Sequence, residues 1–99
     1  MASLSELQRM MDRLYGDRDR KRGPERTLLW LVSEVAEVAE VLIKGKASGS
    51  SYEDELDDAL AWLLSFSNLV GVDLESAFMR RYGSGCPRCK RIPCVCPER

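Results

Sequence analysis

Five acidic side chains in the middle of this 99-residue chain have a spacing that suits metal chemistry. Glu34, Glu37 and Glu40 recur every third residue inside the apolar run TLLWLVSEVAEVAEVLI. Glu55 and Asp58 repeat the spacing, with seventeen residues between Glu37 and Glu55. On a helix, at 100° per residue, Trp30, Glu34, Glu37 and Val41 share a stripe beside an apolar one of Leu28, Leu31, Val35, Val38 and Leu42. Glu55, Asp58, Trp62 and Leu69 form a matching stripe, with Phe66 beside it. Two carboxylates ~4 Å apart repel by ~1 kcal/mol in water and ~4 kcal/mol at an effective dielectric of 20. Four of them either take up protons or recruit a cation, and an all-oxygen set favours Mg²⁺ or Mn²⁺. Asp54 and Asp57 are read as ordinary solvated residues. The chain has no histidine, which excludes histidine triads and histidine metal sites.

A second constellation lies near the C-terminus. Cys86, Cys89, Cys94 and Cys96 place four thiols within eleven residues, as C-x-x-C followed by C-x-C. The first pair is a good zinc half-site and the second can supply two more thiolates, so a structural Zn²⁺ is the expectation. A mobile tail without metal and a redox or disulfide role are the alternatives. A closed four-thiolate site would not itself hydrolyse anything.

Positioning these groups takes helices. Ser3 with Glu6 reads as a capping box for a first helix to about Tyr15, carrying Leu4, Leu7, Met10, Met11 and Leu14. Residues 16–23, GDRDRKRG, read as a polar connection. Pro24 starts a second helix that runs to about Lys44. GKASGSS is a flexible loop, and a third helix spans about Tyr52 to Val70. Asp73 caps a fourth, which stops at Gly83. The short loop makes the second and third helices an antiparallel hairpin, with Glu37 and Asp58 at nearly one height, ~10–12 Å from the loop by helical rise. The expected fold is all-α: an antiparallel hairpin with two flanking helices, residues 1–83, followed by the cysteine-rich tail, residues 84–99.

Charge is segregated along the chain. Residues 1–26 hold seven Lys/Arg against five Asp/Glu, residues 27–75 two against ten, and residues 76–99 six against one. An acidic centre with basic ends argues against nucleic-acid binding and suits a metal-bound polyphosphate. No apolar run is long enough to span a membrane. The start, MASLSELQRMM, lacks a basic leader followed by an apolar block, so a cytoplasmic location is expected.

The sequence resembles the MazG-like, all-α nucleoside triphosphate pyrophosphohydrolases, whose signature is E-x-x-E on one helix and E-x-x-D on the next. Here these are Glu34-Val-Ala-Glu37 and Glu55-Leu-Asp-Asp58, in the similar contexts LLWLVSEVAEVAEVL and EDELDDALAWLLSFSNLVGVDLESAFMRRY. The resemblance covers about residues 5–82. Ala36 stands where the family usually has glycine, and Asp57 where it often has a small residue; neither change removes a ligand. The resemblance implies Mg²⁺-dependent hydrolysis of a nucleoside triphosphate to the monophosphate and pyrophosphate. Glu34, Glu37, Glu55 and Asp58 would hold the metal, and Glu37 or Glu40 would accept a proton from the attacking water.

Arg80 and Arg81 are the leading candidates for gripping phosphate, with Lys44 and then Arg18, Arg20, Lys21 and Arg22 behind them. Ordinary solubility is the other reading of these cations. Trp30 and Trp62 could stack on a base or pack in a core or interface. Asn68 could bind ribose or base, or only cap a neighbouring chain. The resemblance also implies a homodimer or homotetramer that completes the helix bundle, and the apolar arc of the second helix is wider than one partner helix can cover. Two rivals stand beside this reading. One is a pyrophosphohydrolase for another phosphate anhydride, such as a phosphoribosyl-nucleotide. The other is a helical dimerisation module presenting a zinc-binding tail to nucleic acid or a protein partner.

Overall fold

The computed structural model describes residues 1–98, so Arg99 of the cysteine tail lies outside the described residues. Four α-helices follow one another: α1 (Leu4–Arg22), α2 (Pro24–Lys44), α3 (Tyr52–Leu69) and α4 (Leu74–Tyr82). A single 3-10 turn, Gly45–Ser48, begins the α2–α3 connection. No strand occurs among the described residues. The chain is all-α, as the periodicity predicts.

The helix starts follow from local chemistry. At α1, the Ser3 side chain accepts from the Glu6 N–H while Glu6 accepts from the Ser3 N–H. Ser51 caps α3 and Asp73 caps α4 in the same way, each accepting an N–H three residues on. Each such cap satisfies a backbone donor the helix itself leaves free.

Helix α1 is longer than the sequence predicts. It does not end near Tyr15 but continues through the expected connection to Arg22. Ion pairs support the extra turns: Arg20 reaches Asp12 at 3.0 Å and Asp17 at 2.9 Å, and Arg22 reaches Asp19 at 2.9 Å. Arg20, Lys21 and Arg22 also face the negative end of the helix dipole. They work against the ~1 kcal/mol cost of Gly16 in a helix interior. The break comes at Gly23, whose φ of +88° disfavours other residues, directly before Pro24 at the first position of α2.

Helices α2 and α3 form the expected hairpin, and α1 lies across both with α4 against it. The face of α2 turned inward differs from the expected core stripe. Thr27 and Val41 are buried, with Leu31, Glu34 and Val38 at intermediate exposure. Leu28, Val35 and Leu42 lie exposed instead, beside Leu29, Val32 and Ile43. The single chain thus turns the acid-bearing stripe of α2 toward α3 and leaves the wider apolar arc uncovered. Only Val41 and Leu64 are buried hydrophobic residues among those described. The radius of gyration, 16.1 Å, exceeds the ~13 Å typical of a compact domain of this length.

A polar clamp takes over part of the core's role. Buried Gln8 donates to the Asn68 side chain at 3.0 Å and to the Val72 carbonyl at 2.8 Å, and its amide oxygen accepts from the Leu74 N–H at 2.7 Å. The Asn68 amide donates back to the Gln8 carbonyl at 2.9 Å. One side chain of α1 therefore ties the end of α3 to the start of α4. Gln8→Ala is expected to lower stability by about 1–3 kcal/mol, because buried partners lose their bonds. Urea unfolding checks this, and an unchanged midpoint would contradict it. No helix among the described residues is long and apolar enough to cross a membrane.

Candidate active site

The α2–α3 hairpin brings three carboxylates together. One oxygen each from Glu34, Glu37 and Glu55 lie within 4.8 Å of one another. Glu55 is buried, Glu34 partly buried and Glu37 exposed, so the group forms a gradient from interior to solvent. The buried Glu55 Oε2 has no hydrogen-bond partner. Asp58, one turn further along α3, is not in that group, although its charge acts on Glu34.

Glu55, rather than the expected Asp58, is the α3 acid that meets Glu37.

Mutual repulsion shows in the proton affinities. Glu34 is held above the usual carboxylate range, first by burial and then by Asp58 and Glu55, with a bond from the Trp62 side chain opposing the shift. Glu37 is raised mainly by the Glu55 charge, then by Glu34. Mutually repelling carboxylates reaching from solvent to a buried, unpartnered oxygen are a donor set that a hard divalent cation satisfies. Oxygens bound to one Mg²⁺ at ~2.1 Å lie ~3–4 Å apart, so the spacing needs little adjustment. Glu40 stays outside the group, paired with Lys44 at 3.6 Å on the exposed side of α2.

Beside the acids, α1 and α3 enclose a cleft of about 310 Å³. Asp58 and Trp62 line one wall, and Tyr15, Arg18, Asp19 and Arg22 the other. The Arg22 guanidinium lies 4.7 Å from the centre of the Trp62 ring and is held by Asp19 and by the Thr27 hydroxyl at 3.2 Å. Thr27, fully buried, donates to the Gly23 carbonyl at 2.8 Å, which locks the α1–α2 corner. Trp30 stacks on Trp62 with centroids 5.9 Å apart. Asp19 is buried, and its second oxygen lacks a partner.

A family model for the MazG nucleotide pyrophosphohydrolase domain matches residues 22–89. The chain belongs to this family. The match spans the whole hairpin with its carboxylates, and α4, but leaves out most of α1 and the second cysteine pair. A comparison with curated proteins gives no match.

Other sequence candidates on this MazG domain fall elsewhere. Arg80 and Arg81 sit on α4, outside the cleft lining, and Arg81 lies over the Tyr82 ring at 5.7 Å. Asn68 is committed to Gln8. Arg18 and Arg22, ranked behind the α4 arginines by sequence, line the cleft itself. Their one available signal was Asp19 three residues before Arg22, a helical ion-pair spacing. A helix ending near Tyr15 does not contain that pair.

The cysteine tail forms its own cluster. All four sulfurs lie within 4.8 Å of one another. Backbone N–H groups of Cys89 and Arg88, with the Cys94 thiol, pull the Cys86 thiol down to about 6. Cys96 is pushed up to about 12, chiefly by its hydrogen bonds with Cys94 and Cys89.

Proposed function

We propose that this MazG domain hydrolyses a nucleoside triphosphate to the monophosphate and pyrophosphate, using Mg²⁺ or Mn²⁺ held by Glu34, Glu37, Glu55 and Asp58. The convergence of three carboxylates around an unpartnered buried oxygen carries the reading. When bound, the cation neutralises phosphate charge and acidifies water. Glu37, the exposed member with raised proton affinity, is the residue we assign to take the proton of the attacking water. The water oxygen bonds to the α-phosphorus, the bond from that phosphorus to the bridging oxygen breaks, and pyrophosphate leaves. Glu34 and Glu55, deeper in the seam, orient the site and hold charge.

The cleft beside Asp58 supplies the binding surface. Arg18, which lines the cleft, exposed and without an ion-pair partner among the described residues, is the residue we assign to contact phosphate oxygens. Arg22 already has Asp19 and covers one face of the Trp62 ring, whose other face is taken by Trp30, so its task is to hold that ring in place at the cleft wall. Turnover of a panel of nucleoside triphosphates with Mg²⁺, scored for pyrophosphate and monophosphate, tests the activity. Arg18→Ala is expected to raise KM for the triphosphate about tenfold with little change in kcat, the loss of one charge-assisted contact. An unchanged KM would remove Arg18 from the site.

A second copy of the chain is the occupant we assign to the apolar arc of α2. Leu42 and Ile43 are 75% and 79% exposed, and a lone domain seldom presents so continuous a patch. Sedimentation should give a dimer or tetramer, and Leu42→Glu should shift it toward monomer. A monodisperse wild-type monomer would contradict the assembly.

A further inference from the structure

The four cysteines of the tail stand apart from the hydrolytic seam and have a geometry of their own. Cys86 lies 3.8 Å from Cys96 and 3.5 Å from Cys94, and Cys89 lies 3.9 Å from Cys94, sulfur to sulfur. A disulfide would place two sulfurs at ~2.05 Å. Four thiolates bound tetrahedrally to one ion at ~2.3 Å have edges of ~3.8 Å. The observed separations bracket that edge.

The backbone is shaped to deliver this arrangement. Lys90 follows the first pair with φ +61°, a left-handed conformation rare for a long side chain, and its N–H donates to the Cys86 carbonyl at 2.8 Å. The Cys86 N–H in turn donates to the Arg91 carbonyl at 3.2 Å. The Cys96 N–H donates to the Cys94 sulfur at 3.3 Å, so the second pair also folds round its own thiol. At Gly85, φ +105°, a Cβ would meet the Ile92 side chain and the Arg91 carbonyl, so the close return of the loop requires glycine.

Nothing apolar gathers these sulfurs. Ile92 and Val95, the tail's two aliphatic side chains, are 82% and 69% exposed. A loop this short, with no core and with three Lys/Arg among Arg88, Lys90 and Arg91, cannot repay the entropy of ordering without a cross-link. A bound ion supplies one, since metal binding and folding are a single event in such modules.

We propose that Cys86, Cys89, Cys94 and Cys96 bind one Zn²⁺ in a closed tetrahedral site that folds the tail and takes no part in hydrolysis. The same chain then carries two sites of opposite preference, a hard oxygen seam for Mg²⁺ and a soft thiolate cage for Zn²⁺. No electrons move. Zinc displaces the thiol protons to solvent, and all four sulfurs remain reduced. The inference does not depend on the hydrolytic reading, because it rests on residues outside the seam.

The test is metal analysis of the full chain purified without chelator, with Co²⁺ exchange as a second readout. About one zinc per chain is expected, together with the intense visible absorption of a tetrathiolate Co²⁺ site after exchange. Cys89→Ser and Cys94→Ser should each lose the zinc and that absorption while keeping helical circular dichroism and nucleotide turnover. Four freely titrating thiols with no zinc and no such absorption would overturn the proposal. So would two disulfides in anaerobically purified protein, iron in place of zinc, or zinc retained by both serine variants. Failure here leaves turnover unaffected, which keeps it distinct from failure of the hydrolytic reading.

Discussion

Glu55→Gln is expected to reduce Mg²⁺-dependent turnover at least about a hundredfold, the scale on which disturbing a metal's surroundings already acts. The amide keeps the shape of the side chain, so the hairpin stays folded. It also removes a buried negative charge that presses on Glu34 and Glu37. The metal-free variant should therefore melt at a higher temperature than the metal-free wild type. Mg²⁺ should raise the melting temperature of the wild type through binding to the folded state alone, and should do so much less in the variant. Glu37→Gln and Asp58→Asn should follow the same pattern in turnover. Wild-type activity in Glu55→Gln would dissolve the seam as a metal site.

A second large effect is expected from removing the cation. Chelation should abolish turnover, and Mg²⁺ should restore it. Chelation should also reverse how stability depends on pH. Glu34 and Glu37 have folded-state affinities raised above the unfolded carboxylate value of ~4.5. Their contribution to the stability of the metal-free chain is fully present below that value and is lost as pH rises through the raised folded values. Glu6 and Asp73 shift the other way, through their cap bonds to Ser3 and Ser76, so their contribution is lost only at more acid pH. Cys86, whose thiol is pulled down to about 6, acts against them in this window, so the comparison is made in Cys86→Ser, where the raised pair decides the sign between pH ~5 and ~7. The metal-free protein should melt higher at pH ~5 than at pH ~7. With saturating Mg²⁺ the order should invert, because protons compete with the metal for the same oxygens. Calorimetry at both pH values, with and without Mg²⁺, reads both signs, and a metal-free chain that is more stable at pH ~7 would contradict the account.

Much of this architecture is legible in the sequence because it is encoded locally. The capping box at Ser3, the proline opening α2 and the aspartate opening α4 each announce themselves within four residues. The three-residue spacing of the acids, on two helices joined by a short loop, puts Glu34, Glu37 and Glu55 on facing sides. What escaped depends on contacts distant in sequence or on competition between local effects. The extension of α1 was hidden because a glycine and a run of charges read as a connection, while the ion pairs that sustain the helix depend on side-chain geometry. Gln8 gave no signal at all, since its partners lie at least sixty residues away. The inward face of α2 was misassigned for another reason: its most apolar stripe is not the one that meets α3 in a single chain. Arg18 and Arg22 reach the cleft only because α1 continues past Gly16.

In the proposed reaction water attacks the α-phosphorus of a nucleoside triphosphate at the Glu34–Glu37–Glu55 seam. Hydrolysis in ¹⁸O-labelled water, with both products separated and weighed by mass spectrometry, tests it most directly. One labelled oxygen in the nucleoside monophosphate and none in the pyrophosphate is the expected result. Label in the pyrophosphate, or orthophosphate as the first product, would contradict it.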